Sequence, residues 1–253
     1  FAAGTGRVPD LGVPGEELGG VVEALPMVRA SKLAYLDGLD GLRDIEVGDE
    51  VIVVGAGNTA IDAATIAKRL GAERVTMLYR RSRAEMSAYD HEVDFVRNEG
   101  VDIRFLTQPV EILGEGGRVT GVRCVRMKLG EPDAKGRRSP QPVPGTEFVL
   151  PADQVIKAIG QEKLVALYDA VGVAHRNGYV TTDAELRTSN PKVFAAGDCI
   201  RATGHAITVQ AAEDGKIVAR AIAKQLGVAD VEPNPTRGRF LHATANDIAR
   251  IHG

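Results

Sequence analysis

Val51-Ile52-Val53-Val54-Gly55-Ala56-Gly57-Asn58-Thr59-Ala60 is the stretch on which the fold turns. Four β-branched residues run without a polar interruption, as in a strand buried on both faces of a parallel sheet. Gly55-Ala56-Gly57 stops the run. Beyond it, Ala60, Ala63, Ala64, Ala67 and Leu70 recur at helical spacing as far as Gly71, where the helix should end. A stripe of such small residues lets a helix lie close against a sheet. Between strand and helix each glycine acquires a task. Gly55 permits the tight turn, Gly57 leaves room for a pyrophosphate against the backbone, and Ala60 takes the third position, where close packing needs a small residue. The diphosphate would rest on the helix N-terminus, where free amides and the helix dipole favour anions. Gly55, Gly57, Asn58, Thr59 and Ala60 are therefore the expected dinucleotide-binding residues.

Val75 to Leu78 reads as a second strand, Tyr89 to Asn98 as a second helix stopped by Gly100, and Val101, Ile103 and Phe105 as a third strand. This βαβαβ run builds a doubly wound sheet. NAD-selective sites place an acid about 20 residues beyond the glycines, to bind the ribose 2′-hydroxyl. Here Tyr79-Arg80-Arg81-Ser82-Arg83 stands in that region, and no acid comes before Glu85. Guanidinium groups suit a 2′-phosphate, so Arg80, Arg81 and Arg83 point to NADPH rather than NADH. Past the third strand the pattern changes. Arg118 to Leu129 and Thr146 to Leu150 read as antiparallel strands around a loop from Gly130 to Gly145. Val155 to Ile159 returns to a buried strand and ends at Gly160-Gln161. Val193 to Ala196 reads as a short strand running into Gly197-Asp198, and Ile207 to Leu226 as a last long helix. On the N-terminal side, Phe1 to Gly15 reads as a strand end and loop, Val21 to Tyr35 as weakly helical, and Leu42 to Glu50 as a charged connector. The tail from Val231 to Gly253 has no assignable pattern.

The composition bounds the function. The 253 residues carry 31 basic and 34 acidic side chains, for a net charge of −3. That balance argues against a dedicated nucleic-acid binder. No apolar run approaches the roughly 20 residues of a membrane span. Cys124 and Cys199 are the only cysteines, which excludes a disulfide scaffold, a C-x-x-C redox pair and an all-cysteine cluster within the chain. Reduced thiols suit a cytoplasmic setting. There is no Ser/His/Asp constellation and no H-E-x-x-H, so hydrolytic chemistry is not expected. Asp90, Glu92 and Asp94 read as a solvent-facing acidic helix start, Arg137-Arg138 as a loop tip, His205 as a polar neighbour of a helix cap, and Cys199 as a small buried residue.

Four ordered motifs carry a family resemblance: Gly55 to Asp62 (GAGNTAID), Leu78 to Met86 (LYRRSRAEM), Val155 to Gln161 (VIKAIGQ) and Val193 to Cys199 (VFAAGDC). From about Gly4 to Leu226 the chain resembles the pyridine-nucleotide/flavin oxidoreductases of the glutamate synthase small-subunit group. The segment Leu106 to Leu150 is similar to the NAD(P)H- and FAD-binding portion of dihydropyrimidine dehydrogenases. The resemblance implies an α/β protein with a Rossmann-like NAD(P)H domain carrying an antiparallel β insertion, plus the C-terminal part of a second, FAD-binding domain. On this reading residues 1–44 are an FAD-domain remnant and crossover, with Gly4-Thr5-Gly6 resembling the crossover loop. Residues 45–165 bind NAD(P)H, 166–230 belong to the FAD domain, and 231–253 form a tail. It further implies that Ala158, Ile159 and Gly160 flank the nicotinamide nucleotide, that Gly197 and Asp198 meet the FAD ribityl chain, and that Thr208, Val209 and Gln210 open the helix facing the flavin.

The implied activity is hydride transfer from NADPH (or NADH) to FAD, with electrons passed singly to iron–sulfur clusters and a partner domain or catalytic subunit. The family's FAD fingerprint and 4Fe–4S cysteines precede the region where this chain opens, and the opening Phe1-Ala2-Ala3, without a leader, reads as cut from a longer protein. Two alternatives stand beside this reading. One is a nucleotide-binding module without turnover of its own. The other is a thioredoxin-reductase-like enzyme, which needs a C-x-x-C. The family often has proline after the loop methionine, where this chain has Ser87.

Overall fold

A computed structural model describes residues 1–36, 40–132, 138–201 and 207–228. Arg137, His205, the rest of the segment 202–206 and the tail from 231 on lie outside the described residues. The chain divides into two compact units. One is Arg7–Glu162, and the other joins Phe1–Gly6 to the residues from Lys163 on.

In the first unit, elements follow as β1 (Val21–Glu23), α1 (Ala24–Leu36), β2 (Glu50–Val54), α2 (Asn58–Arg69), β3 (Arg74–Tyr79), α3 (Asp90–Asn98) and β4 (Asp102–Phe105). An antiparallel group comes next: β5 (Thr107–Glu115), β6 (Arg118–Pro132), β7 (Arg138–Pro142) and β8 (Phe148–Pro151). β9 (Gln154–Lys157) then returns to the first sheet. That sheet is parallel with strand order β1-β9-β2-β3-β4.

The two-faced burial expected of β2 has a distinct lining on each side. Val51 and Val53 face the layer of α1, α2 and α3, together with Val75, Met77 and Ile156. Ile52 and Val54 face the antiparallel sheet, packing with Ile112, Val122 and Cys124. The antiparallel insertion thus forms the second covering layer of the parallel sheet. Ala60, Ala63, Ala64 and Ala67 are fully buried under α2. α2 ends at a Leu70 cap, Gly71 turns left-handed at φ +113°, and Lys68 Nζ donates to the Ala72 and Glu73 carbonyls at 3.1 and 2.7 Å. A cation at the helix C-terminus satisfies carbonyls and opposes the dipole.

Three local expectations need correction. Residues 7–44 belong to the first unit rather than to a second-domain remnant, because β1 pairs in parallel with β9 (Val22 opposite Ile156) and α1 packs on α2. Part of the expected 130–145 loop is strand: Arg138–Pro142 pairs with the far end of β6. Its prolines Pro140 and Pro142 suit an edge position, where no ladder bond is lost. Val193–Ala196 is not a strand, since only an isolated bridge joins Phe194 to Arg187. Ala195 donates to Leu186 and Thr188 to Val193, while Ala196 donates to Phe1 and the Phe1 amine to Phe194, so bonds shared between two different segments replace a ladder.

The second unit contains α4 (Val165–Val171), the hairpin β10 (His175–Arg176) and β11 (Tyr179–Val180), a 3₁₀ turn at Gly197–Ile200, and α5 (Thr208–Gln225). Tyr168, Val173, Val180, Ala195 and Cys199 form its small core, with the Phe1 ring edge-on to Tyr168.

Candidate functional site

A cleft of about 580 Å³ opens at the carboxyl ends of the parallel strands. This is where open α/β sheets receive ligands, and the size suits a cofactor. The turn after β2 forms its floor. Gly55 sits at φ +138°, and a Cβ there would lie 2.2 Å from the Ala158 carbonyl oxygen. Only glycine lets the β2 and β9 exits pass this closely. Gly57 has φ −91° and provides no side-chain cap for α2. Ala60 and Ile61 donate to the Gly57 carbonyl at 2.9 and 3.1 Å, which leaves the Asn58 and Thr59 amides at the open end of the helix.

Of the expected nicotinamide-nucleotide residues, Gly55, Gly57, Thr59, Arg80, Ala158, Ile159 and Gly160 line this one cleft. Asn58 is exposed on the first turn of α2, and Ala60 is buried against the sheet. The three loop arginines separate. Arg80 is exposed at the rim of the cleft. Arg81 is half-buried, and its Nε is buried with no hydrogen-bond partner among the described residues. Arg83 is taken up by an ion pair with Asp90, so that acid faces a partner rather than solvent alone. The loop is stiffened by a capping box. Ser82 Oγ donates to Glu85 at 2.5 Å, the Ser82 amide donates to Glu85 at 3.1 Å, and the Tyr79 hydroxyl donates to the Glu85 carbonyl at 2.7 Å. The Ser82 hydroxyl holds the Glu85 carboxyl below the usual carboxylate range, and burial pushes the Tyr79 phenol up.

The cleft is also lined by Val8, Pro9, Leu11 and Gln108, which sequence patterns did not mark as site residues, and by Ser87, noted only as a departure from the family's proline. Beside the segment that carries Val8, Pro9 and Leu11 lies Lys157, with 9% of its side chain exposed, at 2.9 Å from Glu16 and 3.4 Å from Asp10. Glu16 also accepts the Leu11 and Gly12 amides at 2.7 and 2.9 Å. Burial works against its charge, but Lys157 and the two amides outweigh it and hold the carboxyl below the usual range.

Gly197, Asp198, Thr208, Val209 and Gln210 belong to the second unit. Gly197 and Asp198 open the 3₁₀ turn. The half-buried Asp198 carboxylate has no partner among the described residues. Thr208, Val209 and Gln210 are exposed on the first turn of α5, which no side chain caps. Asp214, 2% exposed, ties this region together and was not visible in the sequence. It accepts the Gly197 amide at 2.9 Å and Gln210 Nε2 at 3.3 Å, and pairs with Arg201. Both thiols are buried. Burial pushes Cys124 up to about 12 and raises Cys199 as well, so neither is a ready nucleophile. No helix among the described residues is long and apolar enough to cross a membrane.

Known proteins resemble this chain over most of its length. The chain is 40% identical to the beta subunit of an NADP(+)-dependent formate dehydrogenase from Moorella thermoacetica, over 92% of this chain and 32% of that protein. It is 42% identical to the beta subunit of an NADPH-Fe(3+) oxidoreductase from Geobacter sulfurreducens, over 78% and 32%. It is 38% identical to the small chain of glutamate synthase [NADPH] from Escherichia coli, over 86% and 48%. The chain thus spans about a third to a half of the length of these relatives. Among solved structures, the thioredoxin reductase of T. acidophilum superposes with a TM-score of 0.66 at 22% identity, over 88% of this chain and 64% of that one. The Mycobacterium tuberculosis oxidoreductase FprA gives 0.66 at 19%, over 90% and 63%. At such identities these two show a shared fold. The family model described as pyridine nucleotide-disulphide oxidoreductase matches residues 1–215, and with the glycine bend, the arginine loop and the sheet that carries them, the chain belongs to that family of oxidoreductases.

Proposed function

We propose that the cleft of the first unit binds NADPH, and that the second unit contributes to an FAD site which receives its hydride and feeds a partner subunit. The observation that carries this reading is the glycine bend opening into a cleft whose rim bears Arg80, next to the buried Arg81 Nε, which has no partner among the described residues. A 2′-phosphate supplies the acceptor that such a donor lacks, through charge-assisted bonds. On this reading the Asn58 and Thr59 amides hold the diphosphate, and Ala158 to Gly160 set the position of the nicotinamide. Arg83, held by Asp90, steadies the loop rather than meeting the phosphate.

In the second unit, the Asp198 carboxylate, without a partner among the described residues, is suited to accept from a ribityl hydroxyl, and the uncapped start of α5 at Thr208, Val209 and Gln210 suits the electron-rich end of a flavin. Bound FAD supplies the conversion from two-electron to one-electron chemistry, while the protein positions it. With two separate buried cysteines, this chain does not provide the four thiolates of an iron–sulfur cluster. On this reading the clusters and the acceptor belong to other parts of an assembly. The relatives named as beta subunits and small chains fit a partner subunit.

The test is cofactor preference. Charge-assisted bonds contribute about 1.5–3 kcal/mol each. Arg80→Ala with Arg81→Ala is therefore expected to weaken NADPH binding by about 100-fold or more and leave NADH unchanged, as read by calorimetric titration. An unchanged NADPH-to-NADH ratio removes the 2′-phosphate assignment.

A second reading is favoured by the share of its relatives that the chain spans: nicotinamide nucleotide binding without turnover by these 253 residues alone. Visible flavin absorbance in the purified full chain, lost in Asp198→Ala, is expected on the first reading. Colourless protein that still binds NADPH is the outcome of the second. A thioredoxin-reductase-like exchange is set aside because the sequence has no C-x-x-C.

A further inference from the structure

Gln108 lines the cleft from β5, and no hydrogen bond to a described residue occupies its carboxamide. Strand order fixes where it stands along an extended ligand. Ala158–Gly160 follow β9, the glycine bend follows β2, Arg80 follows β3, and Gln108 comes shortly after Phe105, the end of β4. These four strands are consecutive neighbours in the sheet. Tyr79 and Phe105 are register partners, so the segments bearing Arg80 and Gln108 leave the sheet side by side. Adjacent strands are about 4.8 Å apart, which puts the β4 exit roughly 10 Å from the bend, on the far side of Arg80. A dinucleotide with its diphosphate on Gly57 and its 2′-phosphate at Arg80 carries its base onward in that same direction, away from β9.

Resting on the assignment of this cleft to NADPH, we propose that Gln108 is the specificity-determining residue that reads the adenine base. A carboxamide matches the adenine edge: Oε1 accepts from the N6 amino group while Nε2 donates to N7. A side chain offering only one of the two functions makes half of this contact.

Deamino-NADPH, with hypoxanthine in place of adenine, presents a carbonyl oxygen where adenine presents the amino donor and leaves N7 unchanged. In calorimetric titrations of the full chain it is expected to bind about tenfold more weakly than NADPH, the scale of discrimination of one bidentate pair. Gln108→Met is expected to weaken NADPH by a similar factor and to level the two nucleotides. The NADPH-to-NADH ratio should stay as in the unsubstituted chain, because the 2′-phosphate contacts lie elsewhere. Equal affinities of the unsubstituted chain for NADPH and deamino-NADPH overturn the proposal, and this comparison needs no variant to fold. A preference that survives intact in Gln108→Met overturns it as well. Failure of the cleft assignment reads differently: neither nucleotide binds, or both bind with affinities that Arg80→Ala does not alter.

Discussion

Gly55→Val is expected to destabilise the first unit by about 3 kcal/mol and to weaken NADPH binding by roughly 100-fold or more. The cause lies in the backbone. At φ +138° a side chain is strained whatever space surrounds it, and here a Cβ would stand 2.2 Å from the Ala158 carbonyl oxygen and 2.8 Å from its carbon. That carbonyl cannot swing aside cheaply, because Ala158 donates to the Val54 carbonyl at 2.9 Å just before the turn. Relief has to come from parting the exits of β2 and β9, the two strands whose ends carry the bend and the Ala158–Gly160 segment. Gly57→Ala provides the contrast. Its φ is ordinary, and the added Cβ meets nothing closer than Ser87 Oγ at 3.5 Å. Its stability should therefore stay within about 0.5 kcal/mol of the unsubstituted chain. NADPH should still bind roughly tenfold more weakly, because the methyl group occupies the backbone approach that a diphosphate needs. Chemical denaturation and calorimetric titration read the two effects separately. NADPH affinity unchanged in Gly57→Ala would mean that the diphosphate does not lie on this bend.

The contrast also shows why this part of the molecule was legible in the sequence. A strand, a turn and a helix that are contiguous in the chain leave their full record in local spacing. The Val51–Val54 run, the two glycines and the alanine stripe together imply a buried strand, a side-chain-free bend and a closely packed helix. What stayed hidden depends on distant partners. Val21–Glu23 reads as helix because its three residues become a strand only by pairing with Val155–Lys157. Thr107–Glu115 lacks clean alternation because its pairing with β6 shifts register between Pro109 and Glu111 and again between Leu113 and Gly114. Gln108, on that same strand, was missed with it. Asp214 looks like one more polar residue of a helix until Arg201 and the Gly197 amide close on it. In the arginine loop, three like residues in sequence resolve into three environments, because Asp90 claims one of them and burial another.

Lys157→Met is expected to cost about 3–5 kcal/mol, the scale for breaking a buried ion pair from one side. Lys157 is nearly enclosed at the end of β9, and its removal leaves the Glu16 carboxylate with only the Leu11 and Gly12 amides. The pH dependence identifies the pair. The Glu16 carboxyl lies below its ordinary range in the folded chain, so its contribution is complete above the unfolded carboxylate value and is lost as pH falls through the folded one. The Lys157 amine, for which burial is outweighed by Glu16 and Asp10, lies above its ordinary range. Its contribution is complete below the unfolded lysine value and is lost only as pH rises through the folded one. The pair should therefore stabilise evenly between roughly pH 5 and pH 10. In Lys157→Met the carboxyl is free to protonate, so the deficit should shrink as pH falls below about 5, and adding Glu16→Gln should recover much of the loss at neutral pH. Thermal melting across pH measures this. A deficit below about 1 kcal/mol, or one that stays constant down to pH 4, would mean that the pair does not hold the fold. The consequence reaches the cleft, because the amides that Glu16 binds belong to the segment bearing Val8, Pro9 and Leu11, while Lys157 directly precedes Ala158. One ion pair thus fastens a cleft wall to the strand whose end flanks the bend. NADPH affinity should fall in Lys157→Met and return with the double substitution, whereas Arg80 variants should change affinity without changing the melting profile.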